Sequence, residues 1–139
     1  MYTELHCHSY YSLLDGASSP AALLERAAAL GMSALALTDH DNLIGAVEFW
    51  RAARQRGIRP VIGAEVTLAR GSHLTLLAET QAGYANLSRL IAVGQLAGSK
   101  GAPLLTIADV AQHQLGIPLI GPAIAATATG AITDHIAGP

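Results

Sequence analysis

Within residues 2–8, polar and apolar positions alternate from Glu4 to His8. The period of two predicts a strand with Leu5 and Cys7 on one face and His6 and His8 on the other. A turn-rich loop, SYYSLLDGASS, follows. In PAALLERAAAL the apolar residues recur at helical spacing among strong helix formers. Ser19 suits the N-cap, Pro20 the first helical position and Gly31 the C′ position. Residues 33–38, SALALT, read as a buried strand running into TDHDN. A second amphipathic helix is expected over 43–56, stopped by Gly57. A third strand falls within 58–68. A turn at Arg70, Gly71 and Ser72 leads to a fourth, HLTLLAE. A third helix over 84–96 has Leu87, Leu90, Ile91 and Leu96 as its apolar stripe. Thr106 begins a short helix with Asp109 three positions on, an approximate capping box. Residues 117–120 form a fifth short strand.

The order β-α-β-α-β-β-α-α-β predicts an α/β fold with a largely parallel sheet or barrel and helices outside it. A closed barrel of this kind usually takes about 200 residues or more. Four or five strands therefore make an incomplete one. After Gly121 the chain turns Ala/Thr/Gly-rich without a period, which divides it into a patterned domain, 1–121, and an irregular tail, 122–139.

Composition narrows the class. Of 139 residues, 51% are hydrophobic and 13% charged, which excludes a disordered chain. Eight Lys+Arg against ten Asp+Glu give a net charge of −2, without the basic footprint of a nucleic-acid binder. The single cysteine excludes an internal disulfide framework and fits a reducing compartment. No apolar run is long enough to span a membrane, and MYTELHCH lacks a secretory signal's basic start and apolar core. The expectation is a cytoplasmic protein with no membrane partner.

Three strands in succession end in potential metal ligands. His6 and His8 project to the same side of a strand, about 7 Å apart, where they can serve one ion or two adjacent ones. Taken alone, H-x-H is a weak motif and reads first as a pair of partly exposed strand histidines. Asp15 lies in the following loop and can fold back over the strand end; alone it reads as an ordinary turn residue before Gly16. Asp39, His40 and Asp41 close the second strand, at the end where α/β folds bind ligands. Either aspartate can orient His40, or cap the next helix. Glu65 sits in an apolar strand, a costly place for a carboxylate without a partner or cation. Mixed imidazole and carboxylate ligands suit zinc, manganese or iron, and two such ions can clamp a phosphate. His73 begins its strand and so falls at the end away from this group. His113 and His135 are also set aside, and Cys7 reads as a core residue.

The stretches ELHCHSYYSLLDG, ALALTDHDNLIGAVEF, GIRPVIGAEV and HLTLLAETQAGYANLSRLI, in that order, resemble the start of the bacterial C-family DNA polymerase III alpha subunit, replicative or error-prone. That region is its PHP (polymerase and histidinol phosphatase) domain, and the resemblance covers roughly residues 2–121. It implies a distorted (βα)7 TIM-like barrel, here about its first four to five βα units, with up to three zinc or manganese ions. By the same resemblance the metal ligands are His6, His8, Asp15, His40 and Glu65, with Glu65 bridging and Asp39 beside His40 in the catalytic group. The implied function is metal-dependent phosphoester hydrolysis of 3′–5′ exonuclease type within a polymerase. The rest of the alpha subunit is the partner, and DNA is reached through that parent protein. The chain departs from the family in its second half. Pro122 stands where a ligand is expected, and Asp134 and His135 are adjacent instead of separated by one residue. Without palm, fingers and thumb the chain cannot polymerise DNA. The alternatives are a stand-alone phosphatase of the histidinol-phosphatase type and an inactive metal-binding interaction module.

Overall fold

The computed structural model describes residues 2–99 and 101–120. Its elements are α1 (Pro20–Ala29), β1 (Ala34–Leu37), α2 (Ala46–Gln55), β2 (Arg59–Thr67), β3 (His73–Ala78), α3 (Gln81–Ala97), α4 (Ile107–Gln112) and β4 (Leu119–Ile120). They form one four-stranded sheet in the order β1-β2-β3-β4.

Helices α1, α3 and α4 start where a side-chain cap starts them. The Ser19 side chain accepts from the Ala22 N–H, and Pro20 follows as the first helical residue. Gly31, at φ 70°, takes the left-handed position after the α1 C-cap. Thr80 caps α3 through the Gly83 N–H. Thr106 and Asp109 make a complete capping box on α4. Leu24 and Ala27 of α1 and Phe49 and Ala53 of α2 bury against Leu35 and Leu37 of β1 in one core. Leu87 and Leu90 of α3 join Val110 of α4 and Ala64, Val66, Leu74 and Leu76 of the sheet in a second. Leu96, expected in the α3 stripe, is exposed instead; Gly94 takes the buried place and packs on Leu105.

Two expectations are corrected. Residues 2–8 do not form a laddered strand: Glu4 makes an isolated parallel bridge to Leu35. Further along, the Cys7 N–H donates to the Thr38 hydroxyl, while the Thr38 N–H donates to the Cys7 carbonyl. A side chain stands in for one backbone acceptor, so regular pairing stops. The sheet is also not largely parallel. β1 pairs parallel with β2, but β2–β3 and β3–β4 are antiparallel. The turn after Thr67 sets this: the Leu68 N–H donates to the Ser72 carbonyl and Gly71 takes φ 78°. So short a connection makes a hairpin, whereas a parallel pair needs a crossover of a dozen or more residues.

Candidate metal centre

Glu65 lies near the C-terminal end of β2, and a parallel bridge pairs it with His40 just beyond β1. Its side chain is only 8% exposed. Four imidazoles surround its carboxylate. Oε2 faces His6 Nε2 at close range and His8 Nε2 at 3.1 Å. Oε1 accepts from His73 Nδ1 at 2.6 Å and lies 3.9 Å from His40 Nδ1. Burial raises the Glu65 carboxyl pKa, but hydrogen bonds from His73 and His6, with the charges of His40 and His6, outweigh it and hold the value below normal.

Asp15 closes the far side. Its Oδ2 lies 2.5 Å from His8 Nδ1 and 3.0 Å from His40 Nε2. Those two bonds, His8 first, lower its pKa. Loop geometry puts it there. The Ser12 carbonyl accepts from the Asp15 and Gly16 N–H groups. Gly16 runs so close to residue 9 that a Cβ on it would come within 1.9 Å of the Ser9 carbonyl oxygen. Leu14, beside it, takes φ 68°, an uncommon conformation for a large side chain.

Asp39 does not face this group. It is buried, and its Oδ1 accepts from the Ser9 N–H at 2.6 Å and the Ser12 hydroxyl at 2.6 Å. Its Oδ2 accepts from the Ser9 hydroxyl at 2.8 Å. Ser12 Oγ in turn accepts from the His40 N–H. Asp39 thus fixes the loop and the His40 backbone together. Asp41, at φ 50°, accepts from the Thr67 N–H and hydroxyl. Neither aspartate orients the His40 ring or caps α2, whose N-cap is Gly45.

The structure therefore brings together His6, His8, Asp15, His40 and Glu65 and adds His73. Placing His73 at the far end presumed a parallel β3; in an antiparallel hairpin the start of β3 lies beside the end of β2. The short turn around Gly71 was the signal for this. Nothing local distinguishes Ser9 and Ser12 from ordinary turn serines, so the sequence carries no signal for their part in the site. Cys7 points to the core packed by α1 and α2, and burial first, then the charges of Glu4 and Asp39, pushes its thiol up to about 11. His113 serves the C-terminus of α4, its Nδ1 donating to the Asp109 carbonyl. Pro122, Asp134 and His135, and the whole tail over 122–139, lie outside the described residues.

The donor set fits divalent metal. Three groups, His6/His8/Glu65, His8/Asp15/His40 and His40/Glu65/His73, each keep one ligand atom per residue within 4.8 Å of the others. The two Nε2 atoms of His6 and His8 stand 3.1 Å apart, both turned to Glu65 Oε2. Ligands about 2.0–2.1 Å from a tetrahedral ion are about 3.3 Å from each other, so this spacing is that of a shared coordination shell.

An open α/β sheet carrying a histidine–carboxylate cluster at the ends of its strands defines a class of metal-site protein. Residues 4–137 match the PHP domain model, and the chain belongs to the PHP family. It is 51% identical over 113 residues to an error-prone DNA polymerase of Mycobacterium tuberculosis, covering 73% of this chain and 10% of that protein. It is 56% identical over 95 residues to the error-prone DNA polymerase of Symbiobacterium thermophilum (68% and 9%). To the DNA polymerase III subunit alpha of Borreliella burgdorferi it is 37% identical over 130 residues (84% and 11%). The chain spans about a tenth of the length of these curated relatives. Among solved structures it resembles a protein assigned as a metal-dependent phosphoesterase from Bifidobacterium adolescentis (TM-score 0.54, 27% identity, covering 68% of this chain and 33% of that one). A lesion-specific endonuclease from Pyrococcus furiosus shares the fold at TM-score 0.59 and 18% identity, over 84% and 33% of the two chains. Among the described residues no helix is long and apolar enough to cross a membrane.

Proposed function

We propose that this chain is the opening PHP portion of a cytoplasmic DNA polymerase, of the error-prone kind, and that its cluster is a metal-dependent phosphoesterase site. The observation that carries this is the buried Glu65 carboxylate, with four imidazoles around its two oxygens. A carboxylate this buried is costly without partners or cations, and the groups crowded against it are themselves metal donors. His6, His8, Asp15, His40, Glu65 and His73 would hold the ions, zinc or manganese, up to three in an intact domain. Such ions, when bound, polarise a phosphoryl oxygen and supply a water of lowered pKa. Glu65 bridges the imidazoles of three chain segments and keeps them at ligand spacing. Asp15 fixes the His8 and His40 rings. Asp39 acts as a positioning residue through Ser9 and Ser12.

Identities of 51% and 56% to error-prone polymerases, against 37% to a DNA polymerase III alpha subunit, support the error-prone branch. The partner is then the remainder of the polymerase, which also grips the DNA. Metal analysis after dialysis against zinc or manganese tests the site: bound metal in the wild type should be lost in Glu65→Gln and in His8→Ala variants that still fold. Equal metal in all three rejects it. Added 3′-recessed DNA and small phosphomonoesters separate the exonuclease reading from a stand-alone phosphatase.

A further inference from the structure

A hairpin joins β2 to β3 where a parallel pair would carry a crossover helix. The helical layer therefore skips a position, and α2 and α3 flank a groove of about 380 Å3. Its floor is Pro60, Ile62 and Ala78, and its walls are Val47 and Trp50 of α2 and Tyr84 of α3. Val47 is 55% exposed and Trp50 45%. Large apolar side chains gathered in one concavity mark an interaction site, whereas scattered ones need no explanation.

Charge identifies the partner. The net charge of −2 conceals four arginines, at 51, 54, 56 and 59, within nine residues that hold no acid. Arg56 turns to α1, where it pairs with Glu25. Arg54 turns the other way, its guanidinium 4.9 Å from the centroid of the Trp50 ring. Val47, Trp50, Arg51 and Arg54 fall at the i, i+3, i+4, i+7 spacing of one exposed helical stripe. Arg51 and Arg54 thus stand at the rim beside Val47 and Trp50, and the α2 edge of the groove is cationic.

We propose that this groove binds an acidic amphipathic helix of a partner protein, which takes the vacant place in the helical layer. The apolar stripe of that helix rests on Ile62 and Pro60 between Trp50 and Tyr84, and its carboxylates run along Arg51 and Arg54. This is helix-in-groove recognition with apolar anchors and a charged rim. A nucleic-acid strand is the weaker fit: two arginines on one wall do not track a phosphate backbone, and the floor offers apolar contact alone.

Trp50 is the chain's one tryptophan, so its fluorescence reports directly on the groove. The full chain is titrated with three probes. The first is a helical peptide with leucines at i, i+3, i+4 and i+7 and glutamates on both flanks. The second is its lysine-for-glutamate copy, and the third a short oligothymidylate. The glutamate peptide should give a saturable blue shift that weakens with salt and drops in affinity about tenfold in R51E/R54E. Val47→Glu should abolish it, with circular dichroism confirming that both variants keep their fold. Equal binding of the lysine peptide, a shift produced by the oligothymidylate instead, no shift with any probe, or undiminished binding by the folded variants overturns the proposal.

Discussion

Glu65 and His73 are diagonal neighbours on one face of the β2–β3 hairpin. Thr75 stands opposite Glu65 and His73 opposite Thr67, and His73 Nδ1 reaches Glu65 Oε1 at 2.6 Å. His73 is thus the candidate ligand contributed by the strand after Glu65. His73→Ala should weaken zinc binding by about 10–100-fold, the usual cost of removing a group that supports a metal site. The imidazole is 44% exposed, so the fold should survive. Competition against a chromogenic chelator measures the affinity; equality with wild type would remove His73 from the site.

How much of this was legible depended on how local each signal was. Ser19–Pro20, Thr106–Asp109 and Gly31 act within one helical turn, and each helix begins or ends where they direct. The alternation of His6, Cys7 and His8 also held: both imidazoles face Glu65 while Cys7 packs into the α1/α2 core. The errors are relational. Residues 2–8 are extended, but whether an extended segment ladders depends on its neighbour, and Thr38 diverts the pairing through its hydroxyl. The general α/β pattern makes His73 remote from the site, whereas the short turn preceding it reverses the strand and brings it beside Glu65. Asp39 sits beside His40 in sequence yet turns to the opposite side, since successive side chains on extended backbone alternate.

Asp39 anchors three donors at once: the Ser9 N–H, the Ser9 hydroxyl and the Ser12 hydroxyl. Asp39→Ala leaves these buried groups without their acceptor, at about 1–3 kcal/mol for each group not rescued by water. A clear drop in the melting temperature is expected. Because Ser12 also accepts from the His40 N–H, metal affinity should fall as well. Asp39→Asn, with one acceptor oxygen kept, should recover part of both losses. A variant as stable as wild type would show that the loop does not depend on this carboxylate.

Gly16 carries the loop past Ser9 at a distance no side chain tolerates. Gly16→Ala must displace backbone, because the atom it meets is the Ser9 carbonyl oxygen and not the end of a flexible side chain. The expected destabilisation is about 1–3 kcal/mol, as for overpacking elsewhere. Asp15 follows the displaced segment and loses its hold on His8 and His40, so the variant should bind metal less tightly than its residual stability alone accounts for. Urea denaturation with and without zinc separates the two effects: the zinc-induced gain in stability should shrink in the variant.

The α4 capping box supplies a test away from the metal cluster. Hydrogen bonds from the Thr106 hydroxyl first and its N–H second hold the Asp109 carboxyl below its ordinary value, with His113 adding a smaller charge effect against some burial. A carboxyl whose folded pKa is lowered adds stability above its unfolded value. That contribution disappears as the pH falls through the folded one. Thr106→Ala should cost about 1 kcal/mol at neutral pH, the usual worth of an N-cap. The loss should appear in global unfolding, since Val110 ties α4 to the core under β2 and β3. Asp109→Asn should be less stable than wild type at pH 7, and the gap should close as the solution is taken below the unfolded carboxyl value of about 3.9. Urea midpoints for both proteins across that range give the measurement. A gap that stays constant with pH would mean that shape, and not the charge of Asp109, holds the start of the helix.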